Sequence, residues 1–590
     1  MPRRNLKQWF RELRRRHVLR TSAIYVAAAW ALIQVADTTF PIFDLPPVYT
    51  RYVTVALAAG FPVVVLLSWI FDIVHGVPTV TEPLPGETGP RPAEEPAYTI
   101  TESTPDRSIA VMPFVNVSND PDNEYFSNGI AEELLSLLSA LPDLKVAART
   151  SSFAFKDKKV DVREIADRLG VRHVLDGSVR RVADRVRISA QLIDARSGYQ
   201  LWSNRFDREL NDIFAVQDEI ASSIVHALND TLDEYHPEPV AVRDHVPTAN
   251  IEAYQIYLRG LYLWQRRGET AIRGAIAALE QAVNMDPAFT DAISLLAIAH
   301  AALHEYSGED RELGFSIATP LAQQAIELDP GSGKPLAVLG YMAVRRWDWA
   351  NADKWFRQAL ALEPGEPLVH QWYSNLLNDL GYREQAQSHA MTAYQIDRLS
   401  PQANNTLALA FLVLGRDEAA RKHVAVAREF GLGSPVPDYV DYIGHLRRRD
   451  HAAAVQVMNG LLVRRKADTA WVEPVVAAVL DDSKTPAARQ ALSQAVDNAT
   501  VTSSMALMQY TLLGQSDEIY EMANGQVEDH TLVHLWLLLP ECAAVREDPR
   551  FLQLMARMGI VDHWRKNGWP AFVEPLRANY ESARASDAGR

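Results

Sequence analysis

Apolar residues along this chain fall into three regimes. Two long runs come first, Thr21 to Ala36 and Tyr52 to Phe71. Short runs with strand-like spacing follow, from Ser108 to Phe206. From Ile251 onward the spacing is helical. In this last regime four hairpin endings fall at Asp286-Pro287, Asp329-Pro330, Glu363-Pro364 and Asp397-Arg398, and the last two intervals are each 34 residues. Small residues recur inside each hairpin: Ala352 and Ala359 flank Phe356, then Ala386, Ala390 and Ala393, then Ala420 and Ala427. The first unit supplies Ala275, Leu279 and Ala282 ahead of Pro287. Small side chains at such seams let two helices approach closely, and larger ones would overpack them.

A 34-residue helix-turn-helix period is that of the tetratricopeptide unit. The pattern predicts four to five repeats within residues 249–433. The first interval, which spans the second unit, is 43 residues and places about nine extra residues near Ser307–Gly314 as an enlarged loop. Beyond Pro435 the period weakens, but hairpins continue over Tyr439–Leu462, Trp471–Ala499 and Leu507–Ala523. Residues 434–570 then read as degenerate repeats ending in a cap around Phe551, Gly559, Trp564 and Gly568-Trp569-Pro570, because end repeats need a different outer face. Residues 571–590 are polar and small and read as a disordered tail.

Stacked repeats leave a groove lined by the first helix of each pair, and such grooves hold peptides or helices. Here that groove would display Lys334, Tyr341, Arg345, Gln371, Asn375 and Asn378. Amides and cations at this spacing suit a peptide backbone or a carboxylate. An equally weighted reading makes them solvated helix-face residues.

The middle segment, residues 106–235, has the order β-α-β-α-β-β-β-α, which implies a compact α/β layer domain. Ser108–Phe114 is a short buried strand, and Glu124–Ala140 has helical spacing. Lys145–Ala148 is a second strand, and Asp161-Val-Arg-Glu164 opens a helix stopped by Gly170. Strands Val171–Val182, Arg185–Asp194 and Tyr199–Phe206 follow, then a helix over Leu210–Leu232. In the central strand Val186, Ile188, Ala190 and Leu192 alternate with Arg187, Ser189 and Gln191, so one face packs and the other is wet. Asp176 and Gly177 read as a bulge or bend. Arg180 and Arg181 read as solvated edge charges.

The first twenty residues carry eight Lys or Arg against one acid, Glu12. The two apolar runs after them each approach the ~20 residues that cross a bilayer, so residues 21–75 read as two transmembrane helices behind a basic arm, residues 1–20. A cleaved signal peptide followed by one span is the weaker alternative, since no small-x-small site follows the first run. The basic arm places itself, and everything after the second span, on the cytoplasmic side of a bacterial inner membrane. The alternative orientation puts the soluble region outside as an envelope receptor or assembly factor. Asp37 and Asp72 fall at span ends, where carboxylates reach water. Residues 76–105 hold seven prolines and read as an extended linker.

Several stretches resemble one bacterial family. Ser108-Ile-Ala-Val-Met-Pro-Phe114, Glu124-Tyr-Phe-Ser-Asn-Gly129, Ala148-Arg-Thr-Ser-Ser-Phe153, Leu175-Asp-Gly-Ser-Val-Arg-Arg181, Gln191-Leu-Ile-Asp194 and Leu201-Trp202 are similar to the TolB-like amino-terminal (FlgO-like) domain. Ala29-Trp30, Gln34-Val-Ala-Asp37, Gly60-Phe-Pro62 and Ser68-Trp-Ile-Phe-Asp72 resemble the two-span leader of proteins that join this domain to tetratricopeptide repeats. The resemblance implies a membrane-tethered signalling or assembly protein. Related chains often carry a nucleotide cyclase or a winged-helix domain in front. Only about 100 residues precede the middle domain here, and they read as spans and linker.

Charge and chemistry narrow the class further. A net charge of −15 disfavours nucleic-acid binding, which rests on clustered Lys and Arg. Gly331-Ser-Gly-Lys334 is followed by Pro335 where a phosphate loop needs Ser or Thr, and it reads as an inter-repeat turn. The 16 histidines show no metal-ligand spacing. Adjacent Glu132 and Glu133 face different directions and form no acid/base pair. Trp347 and Trp349 read as packing residues. The single cysteine, Cys542, reads as a buried structural thiol. The expectation is a multidomain, non-enzymatic scaffold: a two-helix transmembrane hairpin, a small α/β layer domain and an all-α tetratricopeptide solenoid. It would use no cofactor, metal or catalytic residue, and would bind protein partners, with self-association left open.

Overall fold

The computed structural model describes residues 105–588 with breaks, the longest over 232–247, a β-hairpin within residues 71–80, and the helical residues Ala29, Thr54 and Leu57. The chain divides into two compact units, Met1–Thr99 and Ile100–Arg590. In the first, β1 (Phe71–Val74) pairs antiparallel with β2 (Val77–Val80), Phe71 opposite Val80. The expected linker therefore begins as strand, because its valines and threonine favour a ladder over a solvated coil. The rest of the two apolar runs, the basic arm and residues 81–104 lie outside the described residues. Among the described residues no helix is long and apolar enough to cross a membrane.

The second unit opens on a mixed sheet of order β5-β3-β6-β7-β8. Here β3 (Ser108–Val111) runs parallel to both β5 (Lys145–Val146) and β6 (His173–Val182). Next to β6, β7 (Arg185–Asp194) and β8 (Tyr199–Glu209) are antiparallel, and the short β4 (Val115–Asn116) pairs with the far end of β6. Alternation in β3 splits the core. Ile109 and Val111 face α1 (Glu124–Ser139) and α4 (Ile213–Thr231). Ala110 and Met112 face the layer containing α3 (Val162–Leu169), beside the short α2 (Arg149–Phe153). Asp161 caps α3 by accepting the Arg163 N–H at 2.8 Å, and Gly170 ends it at φ +67°.

Two local expectations are corrected. The β6–β7 ladder runs through Asp176 and Gly177 without a register shift, so neither forms a bulge. Gly177 is needed because a Cβ there would meet the Ser189 carbonyl at 2.6 Å and the Phe114 ring at 2.8 Å. Arg181 is not a solvated edge charge either. Its guanidinium lies over the Phe126 ring and donates to Gln255 Oε1 at 3.0 Å.

The remainder is an all-α solenoid of helix pairs. They are α5 (Ile251–Arg266) with α6 (Glu269–Met285), α7 (Thr290–Ala302) with α8 (Arg311–Leu328), α9 (Lys334–Arg345) with α10 (Trp349–Leu362), α11 (Pro367–Asp379) with α12 (Arg383–Ile396), and α13 (Pro401–Val413) with α14 (Asp417–Phe430). The expected seam residues Ala275, Ala282, Ala352, Ala359, Ala386, Ala390 and Ala393 are all fully buried. The enlarged second unit divides its extra length between a 3₁₀ turn at Leu303–Glu305 and a long α8 of 18 residues. Three further pairs follow: α15 (Val436–Arg447) with α16 (His451–Arg464), α17 (Val472–Leu480) with α18 (Thr485–Asp497), and α19 (Ser503–Leu512) with α20 (Ser516–Glu528).

The terminal segment behaves differently from an end cap. Two 3₁₀ turns, His534–Leu538 and Pro540–Cys542, lead into α21 (Ala543–Glu547), α22 (Pro549–Arg557), α23 (Ile560–Asn567) and α24 (Glu574–Ala588). This strap runs back along the turns that join the two helices of earlier pairs. Trp349 Nε1 donates to the Met558 carbonyl at 2.6 Å, Trp564 Nε1 to Leu380 at 2.8 Å, and Tyr382 Oη to Gly568 at 2.7 Å. The Arg383 guanidinium donates to the Leu538 carbonyl and sits 3.7 Å from the Phe572 ring centre. The tail expected to be disordered is helix α24. Leu576 and Tyr580 pack on the core, and Arg565 bridges to Glu581 at 3.0 Å, so tertiary contacts order a polar stretch.

Candidate functional site: the repeat groove and its rims

The six groove residues expected from the sequence meet different fates. Tyr341 is buried, donates its hydroxyl to Glu305 at 2.5 Å and lies 4.9 Å from the Trp372 ring. Arg345 reaches the same Glu305 oxygen at 2.7 Å, so Tyr341 and Arg345 form one cluster around that carboxylate. Burial raises the Tyr341 hydroxyl well above its ordinary value. For Arg345, partial loss of hydration would lower the guanidinium, yet Tyr341, Glu305 and Asp379 outweigh it and hold the charge. Asn375 is exposed one period after Tyr341, whereas Gln371 and Asn378 are buried. Among the described residues the Asn378 Oδ1 has no hydrogen-bond partner, nor does Asn405 Oδ1 on the next first helix.

Lys334 stands apart from these, at the first turn of α9. Burial alone would lower its ammonium, but Asp291, Glu363, Glu366 and Glu133 outweigh it and hold the group above its ordinary value. Glu133 belongs to α1 of the α/β domain. The glycines before Lys334 form the expected turn, with Gly333 N–H donating to Glu363 at 2.8 Å.

The α/β domain closes one rim. Asp397, 4% exposed, accepts from the Ser151 N–H at 3.0 Å and from its hydroxyl at 2.5 Å. The Ser151 oxygen in turn accepts the Leu399 N–H at 2.7 Å, and Ala148 N–H donates to Ile396 at 3.1 Å. Leu399, Val426 and Phe430 of the solenoid complete the second core of the sheet. At the first repeat, Glu132 accepts from Arg149 at 2.9 Å and from Gln265 at 2.7 Å, which makes it a structural bridge. The strap closes the other rim, where His534 Nε2 donates to the Asp379 carbonyl at 2.7 Å. Between the rims Arg345, Asn375 and Gln402 remain exposed, with Trp372 and Leu409 half-buried.

Sequence reasoning missed Glu305, Trp372 and both rims. The tryptophans of the strap, Trp536, Trp564 and Trp569, were the available signal, since solvated caps do not need so many large side chains. Two further cavities lie outside the groove. One of about 310 Å³ borders the enlarged loop beside Arg273, His300, His304 and Glu309. Another of about 480 Å³ lies beside Arg357, Tyr373 and His389. No cluster among the described residues could hold a metal ion. The Cys542 thiol is buried and pushed up to about 12 by that burial, which leaves it an unreactive packing group.

Comparison with known proteins gives a family match for the sheet domain and several similar chains. Residues 105–223 match the family described as HilA/YgeH-like transcriptional regulator, second domain. That is the α/β domain, for which the sequence resemblance implied a TolB-like fold. A Rhizobium meliloti (strain 1021) protein named "Putative adenylate cyclase 3" is 38% identical over 273 residues, covering 44% of this chain. The chain spans 45% of that relative's length. Among solved structures, a thermophilic TPR protein of Thermus thermophilus is 20% identical over 30% of this chain and 90% of its own, with a TM-score of 0.26. PilW, a widely conserved type IV pilus biogenesis factor, is 16% identical over 37% of this chain and 96% of its own, with a TM-score of 0.29. The solenoid assignment rests on the helix pairs and their buried seams. The chain carries a tetratricopeptide-type solenoid fused to an α/β domain that matches part of a regulator family.

Proposed function

We propose that this chain is a non-catalytic, membrane-anchored scaffold of the TolB-like, two-span kind, whose groove holds an extended segment of a protein partner. The observation that carries this reading is the strip Arg345, Trp372, Asn375, Gln402 and Leu409, which stays accessible between two closed rims. Rigid walls reduce the ordering cost of binding, since little of the site must rearrange. The soluble region is proposed to be cytoplasmic, on the strength of the basic arm.

A photo-cross-linking residue at Asn375 of the full chain, compared with one at exposed Lys422 on α14, tests the groove. Adducts are expected at Asn375 alone and should vanish with Arg345→Glu; equal labelling at both sites would overturn the reading. A topology reporter after Arg590 tests the orientation. A cyclase activity is the competing reading suggested by the Rhizobium relative's name. The purified chain with magnesium and ATP or GTP is expected to yield no cyclic nucleotide.

A further inference from the structure

The enlarged second unit leaves a cavity of about 310 Å³ that the groove reading does not use. First helices line the groove, whereas this cavity is walled by the second helices α6 and α8 and by the end of α7. Gly314 of α8 lies so close to α7 that a Cβ there would meet the His300 carbonyl at 2.5 Å. On either side of that crossing, Leu313 and Ile317 line the cavity with Ile276 and Leu303, and they remain 57% and 38% exposed.

Two polar groups inside the cavity lack partners. His300 is 9% exposed, yet among the described residues neither ring nitrogen has a hydrogen-bond partner. Its Nε2 lies 3.9 Å from Glu280 Oε1, beyond hydrogen-bond reach. Burial lowers the pKa of the ring against the opposing pull of Glu280 and Glu309, so the imidazole is neutral at pH 7. A buried polar group without a partner is costly, and here the cost is uncompensated. Glu280 has no Lys or Arg beside it among the described residues. Arg273, the only Lys or Arg among the described residues lining the cavity, is held by Glu269 at 2.9 Å and Glu309 at 2.7 Å. Nearby Arg311 turns to Glu312 at 3.4 Å. The lining therefore sets one positive charge against three carboxylates, Glu280, Glu309 and Asp310.

We propose that this cavity binds a primary ammonium group on an unbranched alkyl stem, the chemistry shared by a free alkylamine and a lysine side chain. The ammonium bridges His300 Nε2 and Glu280, since a nitrogen ~2.9 Å from each spans their 3.9 Å separation. An ammonium has three donors and no acceptor, which suits an imidazole lone pair and a carboxylate together. Its stem lies along Ile276, Leu303, Leu313 and Ile317, as alkyl stems of charged side chains do on apolar surface. A volume near the lower end of the ~300–1,000 Å³ range of ligand sites selects a group of side-chain size.

The test titrates the full chain at pH 7 with n-pentylamine and with Nα-acetyl-lysine methylamide, by isothermal calorimetry and by hydrogen exchange at residues 303–317. Pentanol and pentanoate are the controls. At least one amine should bind tenfold or more tightly than either control and slow exchange in that segment. The tighter amine identifies the source, a free alkylamine or a lysine side chain. Glu280→Gln, at a side chain 55% exposed, should weaken amine binding at least tenfold without affecting the fold. His300→Leu should weaken it as well. Arg273→Gln frees Glu309 and should tighten binding at least threefold, a gain that a damaged fold does not produce. Absence of amine binding, equal binding of pentanol, or unchanged affinity in Glu280→Gln overturns the proposal.

Discussion

Ser151 and Asp397, 246 residues apart in the chain, share two hydrogen bonds in a site closed to solvent. This contact joins the α/β domain to the fourth repeat pair and makes one rim of the groove. Burial pushes the Asp397 carboxyl up, and the bonds from Ser151 and Thr150 oppose that. A carboxylate in such a place depends on its donors.

Asp397→Ala should leave the Ser151 N–H and hydroxyl without an acceptor, at a cost of ~1–3 kcal/mol. Asp397→Asn keeps an acceptor oxygen and should cost less than half as much. Denaturant unfolding of both variants, with hydrogen exchange at Ala148 and Leu399, checks the ordering. Equal losses would show that the carboxylate is not what holds the rim.

His423 should make stability fall with acid. It is 8% exposed and bonds Asn404 Oδ1 at 2.9 Å through Nδ1, while Asn404 Nδ2 donates to the Arg398 and Ser400 carbonyls. That network assigns the Nδ1 proton to a neutral ring. Burial lowers its pKa from 6.5 to about 4. Between those values the unfolded chain binds more protons, so this contribution is complete above the unfolded value and is lost as pH falls toward about 4. The loss is at most about 3 kcal/mol. His423→Gln should flatten the urea midpoint against pH across that window.

Trp564 anchors the strap. It is 1% exposed, and its indole N–H donates to the Leu380 carbonyl. Trp564→Ala should cost ~3–5 kcal/mol, and Trp564→Phe about 1 kcal/mol from the lost bond alone. Thermal unfolding gives the totals. Limited proteolysis should show residues 534–572 released first in the alanine variant.

Gly177→Ala places a methyl group against the Ser189 carbonyl and the Phe114 ring. Overpacking of this kind costs ~1–3 kcal/mol. Phe114→Leu in the same chain should recover part of the ring's share and none of the carbonyl's. A double-mutant cycle by denaturant unfolding separates the two.

The hairpin period and the alternation of β7 made the helix pairs and the sheet legible because both patterns are local. Ala352, Phe356 and Ala359 repeat at helical spacing whatever else the chain touches, and their burial follows from it. The groove was legible only in outline. Tyr341 and Arg345 were placed correctly on a first helix, but the residue that gathers them, Glu305, lies in the irregular second unit where the period breaks. Arg181 looked like an edge charge because its strand alternates, and only packing against Phe126 and Gln255 showed otherwise.

Residue spacing alone determined the repeat length, the seam residues, the β-strand faces and the turn at Gly331–Lys334. It could not determine what closes the groove, because closure depends on pairs such as Ser151 with Asp397 and Trp349 with Met558, 246 and 209 residues apart. Contacts at that separation have no period in the sequence. They form only when a compact fold brings distant segments together, and burial then makes each one stabilising.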